Sequence, residues 1–133
     1  MFDLHNNVDI KVAFNPAALT ADATTNGNSI DRQFYEAVEF VFVTGTVTDG
    51  SFAITIQESP DNSSWSAVAA ADLLGSNPSF DSADDNAAFK VGYIGSKRYV
   101  RAQVTVSASS TGVDAFTGIA ILGRHIHRVS SAA

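Results

Sequence analysis

The sequence contains no cysteine among its 133 residues. Disulfide bonds and cysteine-ligated zinc sites are therefore excluded, and stability must come from packing. A chain of this length has the size of one ordinary domain and buries roughly two-thirds of the surface that it exposes when unfolded. We therefore predict a single domain, residues 1–133, with a hydrophobic core of its own.

Long hydrophobic runs are missing as well. No stretch approaches the ~20 consecutive apolar residues that cross a bilayer as a helix. The N-terminus, MFDLHNNVDIKV, has neither the basic start nor the apolar run of a secretory signal. We therefore expect a soluble protein that enters no export route.

Basic residues are scarce in the first two-thirds of the chain. Residues 1–89 contain only Lys11 and Arg32 against 13 acidic residues, a net charge of −11, whereas residues 90–133 carry +5. The overall charge of −6 argues against general nucleic-acid binding, which depends on neutralising phosphates. Two interpretations stay open. Acidic and basic strands pair within the fold, or a basic patch faces an acidic patch on a neighbouring copy.

Motifs of catalysis and cofactor binding are absent too. The sequence has no Gly-x-Ser-x-Gly elbow and no glycine-rich phosphate loop, and its histidines lie near the two ends of the chain. We therefore predict no enzymatic activity and no cofactor. His125 and His127 could supply half of a metal site. Asp81, Asp84 and Asp85 could bind calcium, but their spacing does not match an EF-hand, and a solvated acidic loop is the favoured interpretation.

What the sequence does contain is short stretches rich in β-branched and aromatic residues. The most prominent are residues 38–47 and 52–58, which flank Thr48-Asp49-Gly50. An Asp-Gly pair tolerates the positive φ that tight turns require. We therefore predict that these two stretches form a β-hairpin.

The first arm of this predicted hairpin is apolar on both of its alternating faces. Phe40 and Phe42 point to one side, and Val41 and Val43 point to the other. Such a strand needs cover on both sides. We expect a second sheet on one side and a loop or another subunit on the other.

The remaining pattern completes an all-β fold. The stretch 67–74 is either a short helix or a continued strand. The first strand places Val8, Ile10, Val12 and Phe14 on one face before it stops or bends at Asn15-Pro16. About eight short antiparallel strands with little helix predict a single β-sandwich of jelly-roll-like form. Beyond the hairpin, the predicted strands are residues 8–14, 18–23, 29–33, 88–94, 97–107 and 114–122.

Two pairs of residues are candidates for contacts with partners. Phe2 and Leu4 gain nothing from a solvated tail, so residues 1–7 are either a frayed terminus or an arm that docks on a partner. Tyr99 and Arg101 lie on the polar face of the most regular predicted strand. Tyrosine and arginine are both enriched at interfaces, which makes this pair candidate subunit contacts.

Several stretches taken together resemble the small head decoration (cement) proteins of tailed bacteriophages. They are MFDLHNN at residues 1–7, LTADATTNGNSID at 19–31, GTVTDG at 45–50, IQESPD at 56–61, ADLLG at 71–75 and GYIGSKRYVR at 92–101. The resemblance covers most of the chain. It rests on turns and strands rather than on chemical motifs.

The resemblance implies a non-enzymatic structural protein of the virion with a β-sandwich fold. Such a protein is made in the host cytoplasm and binds the outer surface of the capsid, which it stabilises by bridging major capsid subunits. Its partners would be the major capsid protein and further copies of itself, in a homotrimer or a dimer, and neither nucleic acid nor a membrane. The arm with Phe2 and Leu4 is the candidate for contact with the shell.

A competing interpretation is a carbohydrate-binding β-sandwich module of a phage tail fibre or a similar adhesin. Trp65 is expected to cover one end of the core, but an exposed tryptophan beside polar loops can also stack on sugars. Tyr93 or Tyr99 would extend that platform. The acidic loop would hold sugar hydroxyl groups or calcium.

Overall fold

The computed structural model describes residues 3–125, with the backbone alone at Arg124 and His125. This part of the chain contains eleven β-strands and one 3₁₀ turn, Ala70–Asp72. No helix within it is long and apolar enough to cross a membrane. The strands are β1 (Val8–Leu19), β2 (Ala23–Asn26), β3 (Ile30–Asp31), β4 (Tyr35–Thr44), β5 (Ser51–Ser59), β6 (Ser66–Ala67), β7 (Leu73–Leu74), β8 (Ser79–Phe80), β9 (Ala88–Tyr93), β10 (Tyr99–Ser107) and β11 (Val113–His125).

The strands form two antiparallel sheets. Sheet A has the order β1-β11-β4-β9-β7, and sheet B has the order β2-β10-β5-β6, with β3 also paired to β10 and β8 to β5. The first strand thus pairs with the last, β2 and β3 pair with β10, β4 pairs with β9, and β5 pairs with β6 and β8. This nested pairing is the arrangement of a jelly roll. The predicted jelly-roll-like β-sandwich is confirmed, with three strands more than expected, the two-residue strands β6, β7 and β8.

The predicted hairpin across Thr48-Asp49-Gly50 is wrong. β4 pairs with β11 and β9 in sheet A, whereas β5 pairs with β10 in sheet B, so the chain crosses from one sheet to the other. Gly50 does adopt a positive φ, at +95°, as the Asp-Gly pair predicts. The physical reason for the crossing is that β4 and β5 each have an apolar face. These faces bury each other across the sandwich instead of lying side by side in one sheet.

The first predicted strand bends at Asn15-Pro16 and continues to Leu19. Its register with β11 shifts between Val12 and Phe14 and twice more before Leu19. Proline is tolerated there because β1 is an edge strand. The expected strands at 18–23 and 29–33 are displaced to β2 and β3, and the stretch 67–74 divides between the end of β6, the 3₁₀ turn and β7.

The core lies between the two sheets and is rich in phenylalanine. Buried apolar side chains alternate along β10 and along β11 from Phe116 onward, and they are Val100, Ala102, Val104, Val106, Phe116, Ala120 and Leu122. Gly118 of β11 leaves space for a ring, because a Cβ built there would lie 2.7 Å from the ring of Phe42. Five rings form a stacked series across the sandwich, with successive centroids 4.6–6.2 Å apart, in the order Phe40, Phe42, Phe116, Phe80 and Phe52.

Candidate interaction surfaces

One outer surface of the sandwich is apolar. Side chains alternate along a strand, so the residues between the core-facing ones point away from sheet A. The register places Ile119 between Val12 and Val41 in one row, and Ile10 beside Ile121 in the next. We term this surface the apolar face. It consists of Ile10, Val12, Val41, Val43, Leu74, Ile119 and Ile121.

The apolar face is open to solvent. Ile10, Val12, Val43 and Leu74 are 45–59% exposed. The sequence predicts cover by a loop or another subunit on this side of β4, and no loop within residues 3–125 provides it. A contiguous apolar surface of this kind typically marks a site of interaction with another molecule.

Two charged side chains lie within the apolar face, on neighbouring strands between Ile121 and Leu74. Glu39 of β4 is opposite Gly92, and Lys90 of β9 is opposite Val41, so the two charges are diagonal neighbours. Because Gly92 has no side chain, the Glu39 carboxylate lies over it, and a Cβ built on Gly92 would be 2.7 Å from Oε1. The two ion pairs found among the described residues involve neither Glu39 nor Lys90.

The outer surface of sheet B is polar, and its side chains bind one another. Arg101, a predicted contact residue, lies with its guanidinium carbon 4.3 Å from the centroid of Trp65, and its Nε donates to Oε1 of Gln57 at 2.8 Å. Partial burial lowers the pKa of Arg101. Trp65 therefore belongs to this surface and does not cover the core as predicted. We term the surface the polar face. It consists of Thr24, Asn26, Thr55, Gln57, Trp65, Tyr99, Arg101, Gln103 and Thr105.

Tyr99, the second predicted contact on β10, lies beneath another arginine. The guanidinium carbon of Arg98 is 5.0 Å from the Tyr99 ring centroid. Arg98 also donates to both carboxylate oxygens of Asp31, at 2.8 and 2.9 Å, which lowers the pKa of Asp31 and raises that of Arg98. The other ion pair among the described residues joins Lys11 to Asp9 at 3.7 Å. Of these two pairs, only Arg98–Asp31 joins the basic last third of the chain to the acidic part before it.

The environment of Tyr93 weakens the carbohydrate-binding interpretation. Its side chain is buried, and its hydroxyl donates to Oε1 of Glu58 at 2.7 Å and accepts the N–H of Lys97 at 3.0 Å. Burial, reinforced by the bond to Glu58, raises the pKa of Tyr93 to about 12. Arg32 stacks 5.1 Å from the ring centroid and donates to three backbone carbonyls. Tyr93 is thus inaccessible to a sugar, and the other two aromatic candidates each carry an arginine over one ring face.

Aspartates gather at the end of the sandwich where β4 ends and β11 begins. The Asp49 carboxylate accepts backbone hydrogen bonds from residues 110–112. Asp81, Asp84 and Asp85 also accept from backbone N–H groups, the first two within their own loop and the third from the segment that crosses between the sheets. Among the side chains of residues 3–123, no three of the metal-ligating types come together. These carboxylates therefore fasten the loops at this end of the molecule.

The N-terminal arm is described from Asp3 onward. Leu4 is 75% exposed, and the carboxylate of Asp3 accepts the backbone N–H of His5 at 2.9 Å. Phe2 and His127 lie outside the described residues, as does the side chain of His125. What the sequence predicts for these residues stays a prediction.

Sequence reasoning finds the β4 part of the apolar face but misses its extent and its charges. It predicts that Ile10 and Val12 share a face with Phe14, whereas the register shift after Val12 turns Phe14 into the core and leaves the other two outside. The closeness of Glu39 and Lys90 depends on the pairing of β4 with β9. Alternation within residues 88–94 does point Lys90 away from the core, and that signal was available.

Comparison with known proteins establishes the fold alone. No family model and no curated protein matches the sequence. The PBSX exported protein XepA superposes with a TM-score of 0.62 at 17% identity, covering 92% of this chain and 39% of that chain. A chain from the structure of the infectious bursal disease virus Gx strain gives a TM-score of 0.51 at 12% identity, covering 94% and 33%. The SPBc2 prophage-derived protein YomS gives 0.49 at 14% identity, covering 88% and 95%. This chain therefore spans less than half of the length of either of the first two proteins.

Proposed function

We propose that this protein is a non-enzymatic structural component of a tailed-phage virion. It binds the outer surface of the capsid and stabilises it by bridging major capsid subunits. The observation that carries this proposal is the exposed apolar face, because a surface of this kind is buried when a protein joins an assembly. The structural neighbours support this proposal by their origin. XepA is phage-derived, and the second chain comes from the structure of the infectious bursal disease virus Gx strain.

The candidate contacts lie on different parts of the molecule. The exposed Leu4, together with Phe2, makes the arm of residues 1–7 the candidate for contact with the shell. Tyr99 and Arg101 remain candidates for contact with the capsid or with a neighbouring copy. Their stacking partners already hold both side chains in place, so little conformational entropy would be lost on binding.

Co-sedimentation with expanded capsids that have been stripped of their decoration protein tests the proposal. We expect saturable binding at a fixed ratio to the capsid subunits, repeated across a salt series to measure the electrostatic contribution. A chain lacking residues 1–7 is expected to bind more weakly, and Arg101→Ala serves as the probe of the polar face. Failure of the well-folded intact protein to bind at any salt concentration would remove the capsid role.

A further inference from the structure

We infer that a second copy of this chain docks on the apolar face. The contact is two-fold symmetric, and Glu39 of each copy pairs with Lys90 of the other. This inference goes beyond the proposed function and does not depend on it, because self-association is measured with the protein alone.

The two charged residues on the apolar face can pair with the same two residues on a second copy. One acid and one base lie on adjacent strands, two residues apart along the sheet, and no ion pair among the described residues uses either of them. In a two-fold contact, residue i of one copy meets residue j of the other, and j meets i in return. Such a contact therefore forms two identical Glu39–Lys90 pairs while the isoleucines and valines pack against their counterparts.

The contrast between the two outer surfaces favours a closed pair over a larger assembly. A ring or a filament requires two different complementary patches on each copy. Opposite the apolar face is the polar face, where Gln103 binds Asn26 and the Thr24 hydroxyl lies 3.4 Å from that of Thr105. Such a surface offers no apolar match. The surface that matches the apolar face is therefore the apolar face of a second copy.

The outer surface of sheet A, of which the apolar face is a part, has a size that fits a reversible dimer. β11 and β4 pair over nine residue pairs, a length of ~30 Å at ~3.3 Å per residue. Four strands at a spacing of ~4.8 Å add a width of ~19 Å, so the flat area is ~600 Å². A standard interface buries ~800 Å² from each partner. We therefore expect a dimer whose population depends on protein concentration.

Sedimentation equilibrium of the full-length protein and of two charge-reversal variants tests this inference. The wild type is expected to shift from monomer to dimer as its concentration rises. Glu39→Lys and Lys90→Glu should each weaken the dimer, because like charges then meet across the contact. Mixing the two variants in equal amounts should restore a dimer, since each then supplies the charge that the other lacks.

Thr105→Lys, on the polar face, is the matched control and should dimerise like the wild type. Thermal melts of each variant show whether it is folded, and recovery in the mixture is itself evidence that both are. A wild type that stays monomeric or forms a trimer would overturn the inference. So would charge-reversal variants that dimerise alone, or a mixture that remains monomeric.

Discussion

At the scale of single residues, the packing of the core depends on the absence of a side chain at Gly118. A Cβ there would lie 2.7 Å from the ring of Phe42, which itself stacks on Phe116. We predict that Gly118→Ala lowers the free energy of unfolding by about 1–3 kcal/mol, because the stacked rings would have to move. Gly123→Ala, on the same strand, is the control, since nothing lies closer than 3.8 Å to its added Cβ. Chemical denaturation of the two variants measures the difference, and equal stabilities would contradict the packing described here.

Tyr93 makes stability sensitive to alkaline pH. Its pKa is raised to about 12 from an ordinary value of 10.0, so the protonated phenol is favoured in the folded state. The stability that it contributes is present below pH 10 and is lost as the pH rises from about 10 to about 12.

We predict that Tyr93→Phe lowers the free energy of unfolding at neutral pH by about 1–2 kcal/mol, because Glu58 and the Lys97 N–H lose their shared partner. The variant should also lack this alkaline loss of stability. Urea denaturation of both proteins across this pH range measures the effect, with tyrosinate absorbance following the ionisation. A variant that loses stability with the same alkaline profile as the wild type would show that another group is responsible.

At the scale of elements, Asp49 fastens the crossing between β4 and β5 to the loop between β10 and β11. The hydroxyl of Ser110 and the N–H groups of Gly112 and Thr111 bind the carboxylate and hold its pKa well below the usual range. A depressed pKa means that this stabilisation is present above about pH 4 and is lost as the pH falls below it.

We predict that Asp49→Asn lowers the melting temperature at neutral pH, because an amide places a donor against N–H groups. The difference from the wild type should shrink in acid, where the wild type loses its own carboxylate. Asp72→Asn, in the 3₁₀ turn near the opposite end of the sandwich, is the control. Thermal melts recorded at a series of decreasing pH values measure the difference in melting temperature between the variant and the wild type. A difference in melting temperature that grows in acid would contradict this account.

The same elements show what the sequence could predict. Alternation identifies β9 and β10 and their inward-facing residues, because burial on one face leaves a period of two in the sequence. It could not assign β4 and β5 to different sheets, since a turn signal reports a reversal of the chain and not the strands that pair after it. Proline signalled the bend at Asn15-Pro16, but the register shift after Val12 was hidden, because it depends on the pairing with β11, whose residues lie about a hundred positions away.

At the scale of the whole molecule, the two outer surfaces of the jelly roll differ in character. The apolar face could be predicted in part, since residues 38–47 and 114–122 are apolar on both sides. Its full extent required the strand order that places β1, β11 and β4 side by side. The distribution of charge along the chain was visible in the sequence. The sequence did not show that many of the aspartates bind backbone N–H groups at one end of the molecule.

The measurement that tests the central claim most directly is thiol labelling of a cysteine placed on the apolar face. The chain has no cysteine of its own, so a single substitution gives an unambiguous signal. Val43→Cys reports on the apolar face, and Thr105→Cys, at an exposed position on the polar face, is its control. Both should react rapidly in dilute free protein. We predict that the Val43→Cys thiol becomes protected in the dimer and in capsid-bound protein, while the Thr105→Cys thiol in the dimer stays reactive. Equal reactivity of the Val43→Cys thiol in free and assembled protein would contradict burial of the apolar face on assembly.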